Sequence, residues 1–214
     1  MQVYQILRDE IFTGKKKPGE RIIESKIASE MGTSRSPVRE AIRLLEHDGL
    51  IVNEGGNLTI FPLTAECIRD IYQCRIAVES YAAFLAVDNF TQDNIEELIS
   101  LYNKAKNAEK QKNSHTTAVI NTQFHMLINK VSGNKRIMEI SERMLVQSHL
   151  ARNILFATHK SPNDYLEEHW KIIEAIKERD KRKAEFLMRE HISNVLEYLQ
   201  DYLKNNTSII SNLH

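Results

Sequence analysis

Gly32-Thr33-Ser34-Arg35-Ser36-Pro37-Val38-Arg39-Glu40-Ala41-Ile42-Arg43-Leu44-Leu45 is the stretch on which the fold of this 214-residue chain turns. Gly32-Thr33-Ser34 reads as a tight turn between two helices, one from about Ser25 to Met31 and one from about Ser36 to His47. Ser36 followed by Pro37 is a good start for the second helix. It offers a capping hydroxyl and then a proline in the first turn, where a missing N–H costs nothing. Arg35, Arg39 and Arg43 recur every four residues and so share one face, with Ile42, Leu44 and Leu45 expected on the packing side. Upstream, a helix over Gln2 to Thr13 aligns Val3, Ile6, Leu7 and Ile11, and the basic loop Lys15-Lys16-Lys17-Pro18-Gly19 follows it. Downstream, Leu50-Ile51-Val52-Asn53 and Leu58-Thr59-Ile60-Phe61 flank Glu54-Gly55-Gly56-Asn57, two β-favouring runs around a Gly-Gly turn. Helix, turn, helix and hairpin in this order make a winged helix-turn-helix.

Turn-forming residues thin out after this point. Of seven glycines only Gly133 lies beyond residue 56, and of four prolines only Pro162 lies beyond 62. Pro62 ends one element and Thr64 can cap the next, so a domain boundary falls between 62 and 63. Residues 63–205 read as six helices: Ala65–Asn89, Gln92–Lys112, Thr116–Val131, Lys135–His159, Pro162–Arg179 and Lys181–Asn205. Thr91 and Ser161 can cap the second and fifth, and Gly133-Asn134 separates the third from the fourth. The expected fold is therefore mainly α, a winged helix-turn-helix followed by an antiparallel helical bundle. Residues 206–214 read as a frayed polar tail.

Net charge is zero, and residues 1–62 carry nine Lys/Arg against nine Asp/Glu, so only the placement of charge can argue for a nucleic-acid partner. The longest apolar run, Tyr81 to Val87, is far short of the ~20 residues of a membrane span. The first residues lack the basic start and apolar stretch of a signal peptide, so a cytoplasmic protein is expected. Cys67 and Cys74 form no disulfide framework and are expected as buried thiols.

The arginine row has two readings. A guanidinium fork can grip guanine O6/N7 or a phosphate, Ser34 and Ser36 add hydroxyl donors beside a helix N-terminus, and Gly55 and Gly56 let a wing tip approach a groove. Equally, an i,i+4 arginine row is a common solvated helix face, and Arg39 could pair with Glu40 or Glu46. Residues 18–62 resemble the DNA-binding domain of the GntR superfamily, most distinctively in Ser34-Arg35-Ser36-Pro37-Val38-Arg39-Glu40-Ala41. The resemblance implies that Arg35 and Arg39, with Ser36, contact double-stranded operator DNA, and that the wing glycine enters the minor groove.

Among eight histidines, His47, His115, His159 and His214 sit at helix ends or the terminus and read as exposed, and nothing with metal-ligand chemistry recurs beside His149. His169 and His191 differ. Each lies eleven residues from Asp180, where the last two helices turn, which puts both about 16 Å from the turn at ~1.5 Å per residue. Facing imidazoles can start a metal site, with His125 as a third ligand and Asn121 one turn before it; they can also coincide by chance or hydrogen-bond one another. Asn121-Thr122-Gln123-Phe124-His125, Glu168-His169 and Glu190-His191-Ile192 resemble the motifs of the FCD ligand-binding domain of the FadR subfamily, especially its six-helix VanR-like branch. Arg75-Ile76-Ala77-Val78-Glu79 matches its first-helix Arg-x-x-x-Glu. The resemblance implies a divalent ion (zinc, nickel or manganese) on His125, His169 and His191, with Asn121 standing where the family has an acidic ligand.

Taken together, these readings predict a bacterial transcription regulator that binds a palindromic operator as a homodimer and senses a small carboxylate effector. A dication held by neutral ligands inside a bundle favours an anion, and Arg75 is expected to grip it, unless Arg75 simply pairs with Glu79 one turn later. Two rival readings are a DNA-binding protein whose bundle only dimerises, and a metal-dependent hydrolase.

Overall fold

The computed structural model describes residues 2–155 and 165–205. In chain order the elements are α1 (Gln2–Phe12), α2 (Glu24–Glu30), α3 (Arg35–His47), β1 (Ile51–Glu54) and β2 (Asn57–Ile60), then α4 (Ala65–Asn89), α5 (Gln92–Lys110), α6 (Ser114–Val131), α7 (Lys135–Leu155), α8 (Tyr165–Lys177) and α9 (Lys181–Asn205). This is a winged helix-turn-helix followed by an all-helical bundle, as the sequence pattern predicts. No helix among the described residues is long and apolar enough to cross a membrane.

In the N-terminal part, Leu7, Ile11, Ile27, Val38, Ile42, Leu45, Ile51 and Ile60 are buried together. The wing is antiparallel, with Ile51 opposite Ile60 and Glu54 opposite Asn57. Its two-residue turn places Gly55 and Gly56 at φ of 59° and 92°, the left-handed conformations that a tight hairpin turn requires. Asn53 Oδ1 accepts the Gly56 N–H at 3.0 Å and closes the tip.

Two expectations for α3 are corrected. Its N-cap is Ser34, in extended conformation, and not Ser36. Pro37 is then the third helical residue, still within the first turn, where the N–H has no intrahelical partner to lose. Leu44 is 46% exposed; Val38, Ala41, Ile42 and Leu45 form the packing stripe, and Leu44 lies a ~100° step away from Leu45.

In the bundle, α4 packs along α9 and also meets α6 and α7, while α8 packs on α9 and α5 on α6 and α8. Thr91 caps α5 in a reciprocal capping box with Asn94. Asn113 caps α6 by accepting the Thr116 N–H, so that helix starts two residues earlier than predicted. Arg179, left-handed at φ 59° in the α8–α9 turn, donates to the Val87 and Phe90 carbonyls at 2.5 and 2.8 Å. It thereby satisfies the C-terminal end of α4. The predicted Ser161 cap, His159, His214 and the tail lie outside the described residues.

Cys67 is half-buried and Cys74 exposed, against the expectation of two buried thiols. The inner stripe of α4 is Ile68, Tyr72, Arg75, Glu79, Ala82 and Ala86, and both cysteines sit one residue off it.

The two parts share one continuous apolar core from Leu7 to Leu203. At their seam, Gln147 Nε2 of α7 donates to the Gly49 carbonyl at 3.1 Å, and His149 packs its ring 4.7 Å from that of Phe12. Gly49 has φ +77°, and a Cβ there would come within 2.6 Å of the Arg143 side chain, so the seam needs glycine twice over.

Candidate functional site

Two surfaces carry chemistry. The first is the outer face of α3, where Arg35, Ser36, Arg39 and Arg43 are exposed, with Ser34 at its start and the Gly55-Gly56 tip of the wing exposed as well. The expected partners of Arg39, Glu40 and Glu46, are not the ones it takes. Its guanidinium lies 3.2 Å from Glu24 of α2, across the helix-turn-helix. That pair is exposed, hence weak, and can be exchanged for another anion.

The second is buried. α6, α8 and α9 each contribute one histidine from their apolar inner stripe: His125 near Phe124 and Ile128, His169 between Tyr165 and Ile172-Ile173, His191 between Met188 and Val195. All three are at most 2% exposed. His169 Nε2 lies 3.1 Å from His191 Nε2, which in turn lies 3.3 Å from His125 Nε2. The equal spacing of His169 and His191 from Asp180 thus brings them face to face, and His125 joins them. His169 is held by ring stacking on Phe124, centroids 4.0 Å apart, and by the edge of Tyr165.

The outward nitrogens of two of these rings face carboxylates. His191 Nδ1 lies 2.7 Å from Glu168 Oε2, and the other Glu168 oxygen accepts from Asn194 at 2.6 Å. Glu79 Oε2 sits 2.7 Å from His125 Nδ1. A carboxylate beside Nδ1 favours the proton there and leaves Nε2 with its lone pair. With both protons on Nδ1, the two Nε2 lone pairs would face each other across 3.3 Å. Burial pushes the His125 imidazole down to about 3, outweighing the attraction of Glu79, and drives His169 well below its ordinary value. Both rings are therefore neutral at physiological pH.

Arg75 is paired on its own helix. Its Nε donates to Glu79 Oε1 at 2.5 Å and its Nη2 approaches Oε2 at 3.3 Å, with both side chains buried. Burial alone would raise the Glu79 carboxyl; Arg75 and His125 outweigh it and hold the group below the usual carboxylate range. Of the two sequence readings of Arg75, pairing with Glu79 is the arrangement observed.

A cavity adjoins the histidines, lined by Tyr72, Arg75, Asn121, His125, Arg152 and Tyr165 among others. Asn121 is one turn before His125 on α6, and its Oδ1 is buried without a hydrogen-bond partner. Sequence reasoning missed Glu168 and Glu79 as supports of the histidines, and missed Arg152 entirely. The signal for Arg152 is its place on the buried stripe Ser141, Leu145, Ser148, Arg152 of α7, a helix period carrying a charge inward. Of the other histidines, His47 and His115 are exposed as expected, whereas His149 is buried at the seam with α1.

Comparison with known proteins finds a family match for each part of the chain. Residues 1–60 match the family described as bacterial regulatory proteins, gntR family, and residues 70–194 match the FCD domain. The chain is 34% identical over 209 residues to the uncharacterized HTH-type transcriptional regulator YdhC of Bacillus subtilis, covering 95% of this chain and 92% of that one. It is 26% identical to the HTH-type transcriptional regulator McbR of Escherichia coli, over 89% and 87% of the two chains. The solved structure of Escherichia coli McbR superposes with a TM-score of 0.75 at 24% identity, over 94% of this chain and 96% of that one.

The Arg75–Glu79 pair generates a stability prediction. Glu79→Gln leaves a buried guanidinium without its counter-charge, so unfolding in urea should show a loss of about 3–5 kcal/mol. Arg75→Met combined with Glu79→Gln should recover part of that loss. A single variant as stable as wild type contradicts the pairing.

Proposed function

The chain belongs to the gntR family of bacterial regulatory proteins and carries an FCD effector-binding domain, so it is a DNA-binding transcriptional regulator and not an enzyme; from that premise we propose that it senses a small organic acid in a metal-containing pocket and binds a two-fold operator as a homodimer. The observation that carries the proposal is the convergence of three histidine Nε2 atoms. Two ligands ~2.05 Å from an ion at a tetrahedral angle stand about 3.3 Å apart. The separations of 3.1 and 3.3 Å fit that geometry. Lone pairs held this close repel one another unless a cation lies between them. His125, His169 and His191 would hold the divalent ion, with the unpartnered Asn121 Oδ1 as a fourth, uncharged ligand. Zinc, nickel and manganese all suit such donors.

Charge favours an anionic effector, though by a different route from the sequence argument. The ligands are neutral, but Glu79 and Glu168 stand behind them. Glu79 is cancelled by Arg75. The single charge of Glu168 is outnumbered by a dication together with Arg152, which lines the cavity without a carboxylate partner, so a bound dication leaves an excess of two positive charges inside the bundle. An acid entering the cavity relieves that excess. Arg75 takes part as the fixed counter-charge of Glu79.

For DNA, we propose that Ser34, Arg35, Ser36, Arg39 and Arg43 face the major groove and the Gly55-Gly56 tip a minor groove. Arg39 exchanges Glu24 for a base or phosphate on binding. A two-fold operator needs two copies. Tyr81 and Phe186, 50% and 57% exposed on neighbouring helices α4 and α9, offer an apolar face for the second copy. Effector binding reaches the DNA-binding part through α7, which borders the cavity at Arg152 and the seam at Gln147 and His149.

Two outcomes are expected. Protein prepared without chelator should contain about one divalent ion per chain by elemental analysis, reduced sharply in His169→Ala, with tighter retention in Asn121→Asp, where an anionic oxygen replaces a neutral one. No metal in the preparation and none taken up on titration would defeat the metal reading. Separately, Arg35→Ala and Arg39→Ala should each weaken operator binding in a fluorescence anisotropy titration by about 1–3 kcal/mol. Unchanged affinity in both removes α3 from the interface.

A further inference from the structure

Arg152 of α7 is 7% exposed, and among the described residues no carboxylate lies within ion-pair distance of it. Its Nη2 donates to Thr122 Oγ1 at 2.9 Å, and its Nε–H is buried without a partner. A buried guanidinium cannot shed its proton, so an unpaired one is held at a cost in stability that needs a reason. Burial drags its pKa below the ordinary arginine value, with Tyr72 only partly offsetting the effect.

The same cavity collects other unsatisfied groups. Tyr72 Oη, Tyr165 Oη and Asn121 Oδ1 are all buried without hydrogen-bond partners, and all belong to residues that line it with Arg152. Native interiors leave few such atoms, and several facing one cavity mark a missing partner. Three of the four groups can donate, so that partner is rich in acceptors. The space measures about 30 Å³, room for roughly two water-sized groups at ~10–15 Å³ each. That is the scale of the two oxygens of one carboxylate.

We propose that Arg152 is the anion anchor of the effector cavity: its guanidinium takes one carboxylate of a small organic acid, with the Tyr72 and Tyr165 hydroxyls completing the hydrogen-bond shell, and Arg152 rather than Arg75 selects for the charge. Arg75 is less suited to the task because Glu79 already takes its Nε/Nη2 edge and neutralises its charge. A fork-to-fork contact gives Arg152 both energy and orientation. The proposal rests on the cavity being the effector site, and it does not require the metal.

The test uses the full-length protein as purified, with sodium malonate and sodium acetate as probes and sodium chloride as the ionic-strength control. Three proteins are compared by calorimetric titration, thermal melting and elemental analysis: wild type, Arg152→Met and Arg152→Lys. Wild type should bind at least one of the two acids saturably and melt higher in its presence. Arg152→Met should keep its metal content, melt higher than wild type in the absence of acids because a buried unpaired charge is gone, and bind the acid at least ~10-fold more weakly. Arg152→Lys, which keeps the charge without the fork, should fall between the two. Acid binding of equal strength in wild type and Arg152→Met overturns the proposal, as does a wild type that neither acid stabilises beyond the chloride control. Metal-free protein that still binds acid through Arg152 sinks the metal reading alone. Metal-loaded protein whose acid binding ignores Arg152 sinks this inference alone.

Discussion

Three imidazole nitrogens meeting in the core of a helical bundle are the constraint around which the rest of this structure is arranged. Apolar packing alone would not place them there, because each displaces a side chain that could bury carbon. They hold position through partners on three sides: Phe124 and Tyr165 fix the plane of His169, Glu168 turns His191, and Glu79 stands behind His125. Glu79 in turn is tolerable in the interior only because Arg75 is one turn before it on α4. The chain of dependence runs from imidazole to carboxylate to guanidinium, and it ties α4, α6, α8 and α9 together with polar contacts.

The same logic explains the position of α7. It touches both the cavity and the DNA-binding part, through Arg152 at one place and Gln147 and His149 just upstream. About 5 residues separate Arg152 from Gln147, a single helical turn and a half at 3.6 residues per turn. The stretch between them is continuous helix. At that seam Gly49 admits no side chain, so the two parts meet backbone to side chain at close range.

Much of this was legible in the sequence. The winged helix-turn-helix followed from turn residues and helix spacing, and the meeting of His169 with His191 followed from their equal distance to Asp180. What the sequence hid has physical causes. Ser34 and Ser36 are both good caps, and only the extended backbone at Ser34 decides between them. The buried thiols failed because Cys67 and Cys74 lie one residue from the inner stripe of α4, a margin that periodicity without a measured phase does not resolve. Glu24 as the partner of Arg39 is a contact between helices and leaves no local pattern. Arg152 was overlooked for another reason: a lone arginine in a long helix reads as solvated until its stripe is seen to be buried.

The measurement that bears most directly on this account is X-ray absorption spectroscopy on the protein loaded with one equivalent of zinc. The account predicts a coordination shell containing three imidazole nitrogens at about 2.0–2.1 Å, with oxygen donors filling the remainder. Replacing any one of His125, His169 or His191 by alanine should remove one imidazole from that shell. A shell with no more than one imidazole, or one unchanged by these substitutions, would place the ion elsewhere and contradict the account.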